Sequence, residues 1–194
     1  RSVVTLIVIA VIALIAYSSF KGAYNSMVTK EESVESAWAQ VENVYQRRAD
    51  LIPNLVNTVK GAANFEKETY TAVTEARSKA SQITVDPKNL TPEKIQEFQA
   101  AQSQLSQALG RLMMVTENYP QLKANQNFLD LQAQLEGTEN RITQERRKFN
   151  EVVQDFNTYI RKFPNNLMSG MFGFEKKGYF EAEKGSEKAP SVNF

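Results

Sequence analysis

The chain has 194 residues, 42% hydrophobic and 23% charged, and its 23 basic and 22 acidic side chains leave a formal charge of +1. That balance, spread along the chain, lacks the basic surplus that tracks phosphate backbones, so no nucleic acid partner is expected. Cysteine and histidine are both absent, which excludes disulfides, thiolate catalysis and thiolate metal sites, and removes the side chain that most readily titrates between pH 5 and 8.

Residues 3–20 contain no charge and are rich in Val, Ile, Ala and Leu, between Arg1 and Lys21. At about 1.5 Å per helical residue the run covers roughly 27 Å, close to the hydrocarbon thickness of a bilayer. Residues 1–22 are therefore expected to form a transmembrane anchor, with Tyr17 and Phe20 near one interface. The run is longer than the apolar core of a typical cleaved signal peptide, and no small-x-small cleavage site precedes a change to mature-like sequence. It is apolar on every face, unlike a buried core helix among one-sided neighbours. Orientation leans toward an extracytoplasmic bundle, although Glu31, Glu32 and Glu35 dilute Lys21 and Lys30 and leave the side open.

The first helix grows from the span to about residue 60. One face carries Val34, Trp38, Val41, Tyr45, Arg48, Ile52, Leu55 and Val59, a 3.5-residue period interrupted by a single arginine. Pro53 lacks an amide donor and crowds the carbonyl of Ala49, so a kink is expected there rather than an end. Gly61 marks a bend or a loosened turn. A second helix follows over residues 64–83, with Phe65, Ala72, Val73, Ala76, Ala80 and Ile83 inward and Glu66, Lys67, Glu68, Glu75, Arg77 and Lys79 solvated.

Residues 84–90 connect to Thr91-Pro92-Glu93, an N-cap, first-position proline and early acid that start a third helix. Its stripe is Ile95, Phe98, Gln102, Leu105, Leu109, Leu112 and Thr116, and Asn118-Tyr119-Pro120 ends it. The fourth helix, residues 127–163, repeats the step with Phe128, Leu131, Leu135, Thr138, Ile142, Glu145, Phe149, Val152, Phe156, Tyr159 and Phe163 over about 55 Å. These stripes predict an all-α fold: a transmembrane helix continuing into a long antiparallel four-helix bundle over residues 23–163, coiled-coil-like and left-handed in twist. Residues 164–194 form an irregular, aromatic-rich tail. Met168, Met171, Phe172, Phe174 and Phe180 are its candidate interaction residues, either folding back over the bundle or meeting the membrane surface or a neighbouring copy.

Polar residues inside the stripes need partners. A buried charge without a counter-ion is disfavoured by several kcal/mol, so Arg48 must pair or reach water. The expected arrangement is a structural polar layer joining Gln46, Arg47, Arg48 and Asp50 to Glu136, Glu139, Asn140 and Arg141, satisfied in one alignment and so fixing register. A carboxylate acid–base pair drawn from Asp50, Glu136 and Glu139 would require a cleft and a perturbed pKa, which sequence does not show. Bundle di-metal sites use Glu-x-x-His, and there is no histidine to supply. No catalytic, cofactor-binding or metal-binding residue is assigned, and no small-molecule substrate is expected.

The chain resembles the LemA family of bacterial membrane proteins. The match runs through Tyr24-Asn25, Ala37-Trp38-Ala39-Gln40-Val41-Glu42-Asn43 and Gln46-Arg47-Arg48-Ala49-Asp50-Leu51-Ile52-Pro53-Asn54-Leu55-Val56. It continues with Ala76-Arg77, Asn127-Phe128-Leu129, Leu131-Gln132, Leu135-Glu136-Gly137-Thr138-Glu139-Asn140-Arg141-Ile142, Arg146-Arg147, Phe149-Asn150, Phe163-Pro164 and Val192-Asn193-Phe194. The resemblance implies an amino-terminal anchor, a long antiparallel bundle, single-pass placement in the bacterial cytoplasmic (inner) membrane and no established enzymatic activity. This chain has Phe65 before Glu66 where many relatives carry histidine, which argues against a metal or pH role through that position. Three functions follow as expectations. The first is a membrane-anchored scaffold associating laterally into a homo-oligomer at the bacterial membrane. The second is an adaptor for another membrane protein, a protease or signalling receptor, docked through the tail. The third, a carboxylate or metal enzyme, has no motif to support it.

Overall fold

A computed structural model describes residues 2–61 and 66–182. The expectations placed on Arg1, Phe65 and the closing Val192-Asn193-Phe194 lie outside those residues. The order is α1 (Ser2–Lys60), α2 (Lys67–Gln82), α3 (Pro92–Thr116), α4 (Pro120–Lys123), α5 (Gln126–Arg161) and α6 (Asn165–Phe172), with no strand among the described residues. All-α architecture with a long apolar amino-terminal helix is thus observed. α1 leaves the span and rises the full height, about 90 Å at the helical rise. α2 descends beside it, α3 climbs back, and α5 returns along α1 toward the span.

The stripes of α1 and α3 are buried at every named position, from Val34 to Val59 and from Ile95 to Thr116. The 3.5-residue step holds because a helix presenting one apolar seam buries it against its neighbours. Thr91 caps α3, its hydroxyl accepting from the amide of Lys94 at 3.4 Å, with Pro92 behind it in the first turn. Asn125 does the same for α5, accepting from Phe128 N at 3.2 Å. α1 runs unbroken through Pro53. The carbonyl that Pro53 leaves without a helical donor, Ala49 O, accepts from Arg77 Nε of α2 at 2.7 Å. Arg77 therefore leaves the solvated face assigned to it and mends the backbone of its neighbour.

Three details differ from the sequence reading. Ala72 faces outward, and Val73, Ala76 and Ala80 alone make the buried edge of α2. α5 ends at Arg161, leaving Phe163 82% exposed, because the residue before Pro164 is pushed out of the helical region. Past Tyr119, Pro120 starts the extra turn α4, which buries Leu122. The tail is not wholly irregular either. α6 is stopped by Gly173 in the left-handed region at φ 75°, and Phe174 N donates to Ser169 O at 2.9 Å.

The core has two compartments. A membrane-proximal one holds Met27, Val34, Trp38, Phe98, Phe149, Phe156 and their neighbours. A distal one holds Ile52, Leu55, Val73, Leu105, Leu112, Phe128 and Leu135. Arg48 and Thr138 lie between them in sequence on α1 and α5, and Gln102 lies at the edge of the distal one on α3, all three buried. Residues 2–20 are exposed throughout. This stretch of α1 is, among the described residues, the one segment long and apolar enough to cross a membrane.

Candidate functional site

Arg48 is the centre of the boundary between the two cores, 1% exposed. Its Nη1 donates to Ser106 Oγ and to Glu139 Oε1, each at 2.7 Å. Its Nη2 donates to Gln102 Oε1 at 2.6 Å and to the Gln102 carbonyl at 3.2 Å. The guanidinium carbon lies 5.1 Å from the centre of the Tyr45 ring, one turn earlier. Arg48 is thus held by α3 and α5 at once, and only its Nε–H lacks a partner among the described atoms. Glu139 is half exposed, so the pair has one buried end and one wet end.

The other residues expected in the layer are not drawn in. Gln46 donates to Asp50 at 2.8 Å on the outside of α1, and Gln132 donates to Glu136 at 3.0 Å on the outside of α5. Arg47, Asn140 and Arg141 are exposed. Thr138 turns its hydroxyl back onto Gln134 O at 2.7 Å, and Glu145 pairs with Lys148 at 2.7 Å. Arg48 and Glu139 come together as expected, but their further partners are Gln102 and Ser106. Gln102 was visible as a polar residue in the α3 stripe, but nothing in the spacing said that it would face Arg48.

Around the layer, burial alters two acids. The Glu42 carboxyl is raised by desolvation and drawn partly back by the Trp38 indole N–H one turn earlier. That N–H is itself buried and makes no formed hydrogen bond. The Tyr45 hydroxyl is raised by burial, against the opposing pull of Arg146 and Arg48. A crevice of about 120 Å³ beside them is lined by Glu42, Tyr45, Gln46 and Gln102 among others. That volume is small for a substrate pocket. Among the described residues no group of three His, Cys, Asp or Glu side chains is placed to hold a metal ion.

The second feature is a strap formed by residues 174–182, which runs extended between α3 and α5. Three amide side chains hold it, each bonding both backbone groups of one strap residue. Asn157 takes Lys177, at 2.9 Å both to its carbonyl and from its amide. Asn150 takes Phe180 at 2.8 and 2.9 Å, and Gln99 takes Glu181 at 2.8 and 3.0 Å. Side chains thus supply the pairing that a neighbouring strand would supply in a sheet. Gly178 N also donates to Leu90 O at 2.8 Å, and a Cβ at Gly178 would meet Pro92 Cα at 2.7 Å, so only glycine fits. Lys177, nearly buried, pairs with Glu31 at 2.7 Å and donates to Lys88 O at 3.1 Å.

Phe180 enters the proximal core, 5.5 Å from the Phe149 ring and stacked on Trp38 at 6.0 Å. Of the five tail residues proposed for interaction, Met168 and Phe180 are core residues. They are unavailable to a partner: α6 packs Met168 against the bundle, and the strap carries Phe180 into it. Phe174 is half-buried, and Met171 and Phe172 are exposed. Sequence reasoning missed Asn150, Asn157 and Gln99. Their signal was faint: three amides beside inward positions, with a glycine-containing aromatic segment to receive.

A membrane-crossing helix continuing into an all-α bundle, its core split by an arginine layer and closed by a carboxy-terminal strap, defines a class: a single-pass membrane protein with a helical-bundle domain. Residues 37–194 match the LemA family. The chain belongs to that family. It is 26% identical over 170 residues to "Protein LemA" of Metamycoplasma hominis, covering 88% of this chain and 74% of that one. It is likewise 26% identical over 205 aligned positions to the magnetosome protein MamQ 2 of Paramagnetospirillum magneticum, and 24% identical to MamQ of Magnetospirillum gryphiswaldense. Each of these alignments covers 96% of this chain and 75% of the relative.

Proposed function

We propose that the protein is a non-enzymatic scaffold of the bacterial inner membrane, whose anchored bundles associate side by side into a homo-oligomer. The observation that carries this reading is the contrast between the two ends of α1. Residues 2–20 are offered to lipid uncovered, while the charged group deepest in the bundle is bound into the bundle's own frame rather than lining a cavity. Anchoring fixes height and orientation and raises effective concentration, so modest lateral contacts assemble copies. Met114 and Leu129, exposed near the distal end, are available for such contacts. The relatives named for the magnetosome are named for a structure rather than a reaction, which fits a scaffold.

Cross-linking and particle mass in detergent and in native-membrane discs test the proposal. Ladders of copies that persist on dilution support it, and a monomer at every concentration overturns it. An adaptor reading that docks a protease or receptor through the whole tail loses ground, because Met168 and Phe180 are committed to the core.

A further inference from the structure

We infer that α6 is a membrane-surface helix, a second lipid contact that lays the carboxy-terminal side of the bundle against the bilayer beside the span. This inference rests on residues 2–20 lying in the membrane. It goes beyond anchoring by giving the carboxy-terminal segment of the bundle domain its own contact with lipid.

The placement comes from Phe172. Its ring lies 5.0 Å from that of Tyr24 and lines a crevice with Ala16, Tyr17, Phe20 and Lys21. Lys21 is the first charge after the apolar run and so marks where hydrocarbon gives way to headgroups. Ala16 lies five residues below it, roughly 7 Å deeper at the helical rise. A side chain that meets Tyr24, about one turn above Lys21, and lines a crevice reaching down to Ala16 is at the headgroup level. α6 therefore stands at the interface, not above it.

The faces of α6 agree. Met168 and Ser169 are buried against the bundle, and Ser169 Oγ donates to Ile160 O at 3.2 Å. The opposite side exposes Leu167 and Met171; Phe172, next to Met168 on the helix, is half exposed, and Phe163 precedes them, four large apolar side chains at least half exposed. In water such a patch would be a liability, whereas at a bilayer surface it is the expected composition of an interfacial helix. The helix itself carries no charge, while Lys21, Arg161 and Lys162 beside it are exposed cations suited to phosphate headgroups. One occupant satisfies both the depth and the chemistry: the lipid surface that the span already crosses.

Because the chain has no native cysteine, single labels report cleanly. The full chain carrying Met171→Cys, Leu167→Cys, Val11→Cys or Glu151→Cys is labelled with a fluorophore. Each variant is reconstituted into phosphatidylcholine–phosphatidylglycerol vesicles, in which a fraction of the lipid bears a quencher at shallow or deep acyl positions. Labels at 167 and 171 are expected to be quenched at least threefold more by shallow-quencher vesicles than the label at Glu151, which faces outward on α5. Quenching at 11 but not at 167 or 171 overturns the inference and leaves the anchor standing. Loss of quenching at 11 as well overturns the anchor itself. Leu167→Ser with Met171→Ser, both at exposed positions, is expected to leave helicity unchanged while quenching of a Phe172→Cys label falls. Retained quenching there also counts against the helix as the contact.

Discussion

Replacing Arg48 by methionine tests whether the buried layer holds the bundle together. The substitution preserves most of the side-chain volume and removes four hydrogen bonds, to Ser106, Glu139 and twice to Gln102. The wet end of the pair limits the damage, since Glu139 is half exposed and can return to water. What remains stranded is the Gln102 amide, itself buried, at about 1–3 kcal/mol. The reverse perturbation is harsher. Glu139→Ala leaves a guanidinium buried with no counter-ion, a situation that costs about 3–5 kcal/mol where no water reaches it, and less here on the exposed side. Glu139→Ala is therefore expected to destabilise at least as much as Arg48→Met. The double variant should be no worse than Arg48→Met alone, because the stranded charge is gone. Thermal melts of the full chain in detergent, followed by helical circular dichroism, read this directly. For a chain of this size about 2 kcal/mol corresponds to roughly 4–8 °C in Tm. Additive losses from the two single changes, within about 0.5 kcal/mol, would refute the coupling. An unchanged Tm for Arg48→Met would remove the layer from any structural role.

Phe180→Ala empties the place beside Trp38 and Phe149 and is expected to cost about 3–5 kcal/mol, while Gly178→Ala forces a methyl against Pro92 and costs about 1–3 kcal/mol. Limited proteolysis should then cut the strap in both variants before the helices, and a protected strap in either would contradict its docking. Arg77→Met strands Ala49 O at about 1–3 kcal/mol, but in a Pro53→Ala background the restored amide at 53 takes over the carbonyl. Equal losses in the two backgrounds, measured by denaturant unfolding, would show that Arg77 acts otherwise. The raised Glu42 carboxyl favours its protonated form in the folded state, a stabilisation present below its ordinary range and lost as pH rises through the elevated value. Glu42→Gln should therefore raise Tm at pH 7, with the gain vanishing near pH 4; a constant gain across that range would mean that protonation is not its cause.

Helix placement was legible because it depends on short-range spacing. Trp38 and Phe98 had to face inward whatever they met, and the cap at Thr91 acts within three residues. The miss at Phe163 was avoidable, since Pro164 already disfavoured a helical residue before it. The partners of Arg48 were not legible in the same way. Its need for a counter-ion followed from burial, but choosing Gln102 and Ser106 over Asn140 and Arg141 depends on how α3 rotates against α1, which no local pattern encodes. Arg77 shows the same limit from the other side: the vacancy at Ala49 O was foreseeable from Pro53, but its donor lies 28 residues away on another helix.

The strap explains why the proximal core is aromatic. α3 and α5 come close to one another along little of their length, and residues 174–182 lie in the space between them. Phe98 on α3 and Phe149 on α5 each meet Phe180 from the strap, at 6.4 and 5.5 Å, and both also meet Trp38 from α1, at 5.1 and 5.5 Å. Remove the strap and the Trp38 cluster opens to water through the side that Phe180 covers. Among the described residues the distal core has no such lid, and α2, whose small Ala76 and Ala80 let it approach, packs on it from the side of α1 and α3. Arg48 sits where one mode of closure hands over to the other. A register slip of α5 by one turn would separate Glu139 from Arg48 and, in the same motion, move Asn150 and Asn157 off the strap residues they bind. Layer and strap thus enforce a single alignment of α5, which keeps the lipid-facing side of α6 at the level of Lys21.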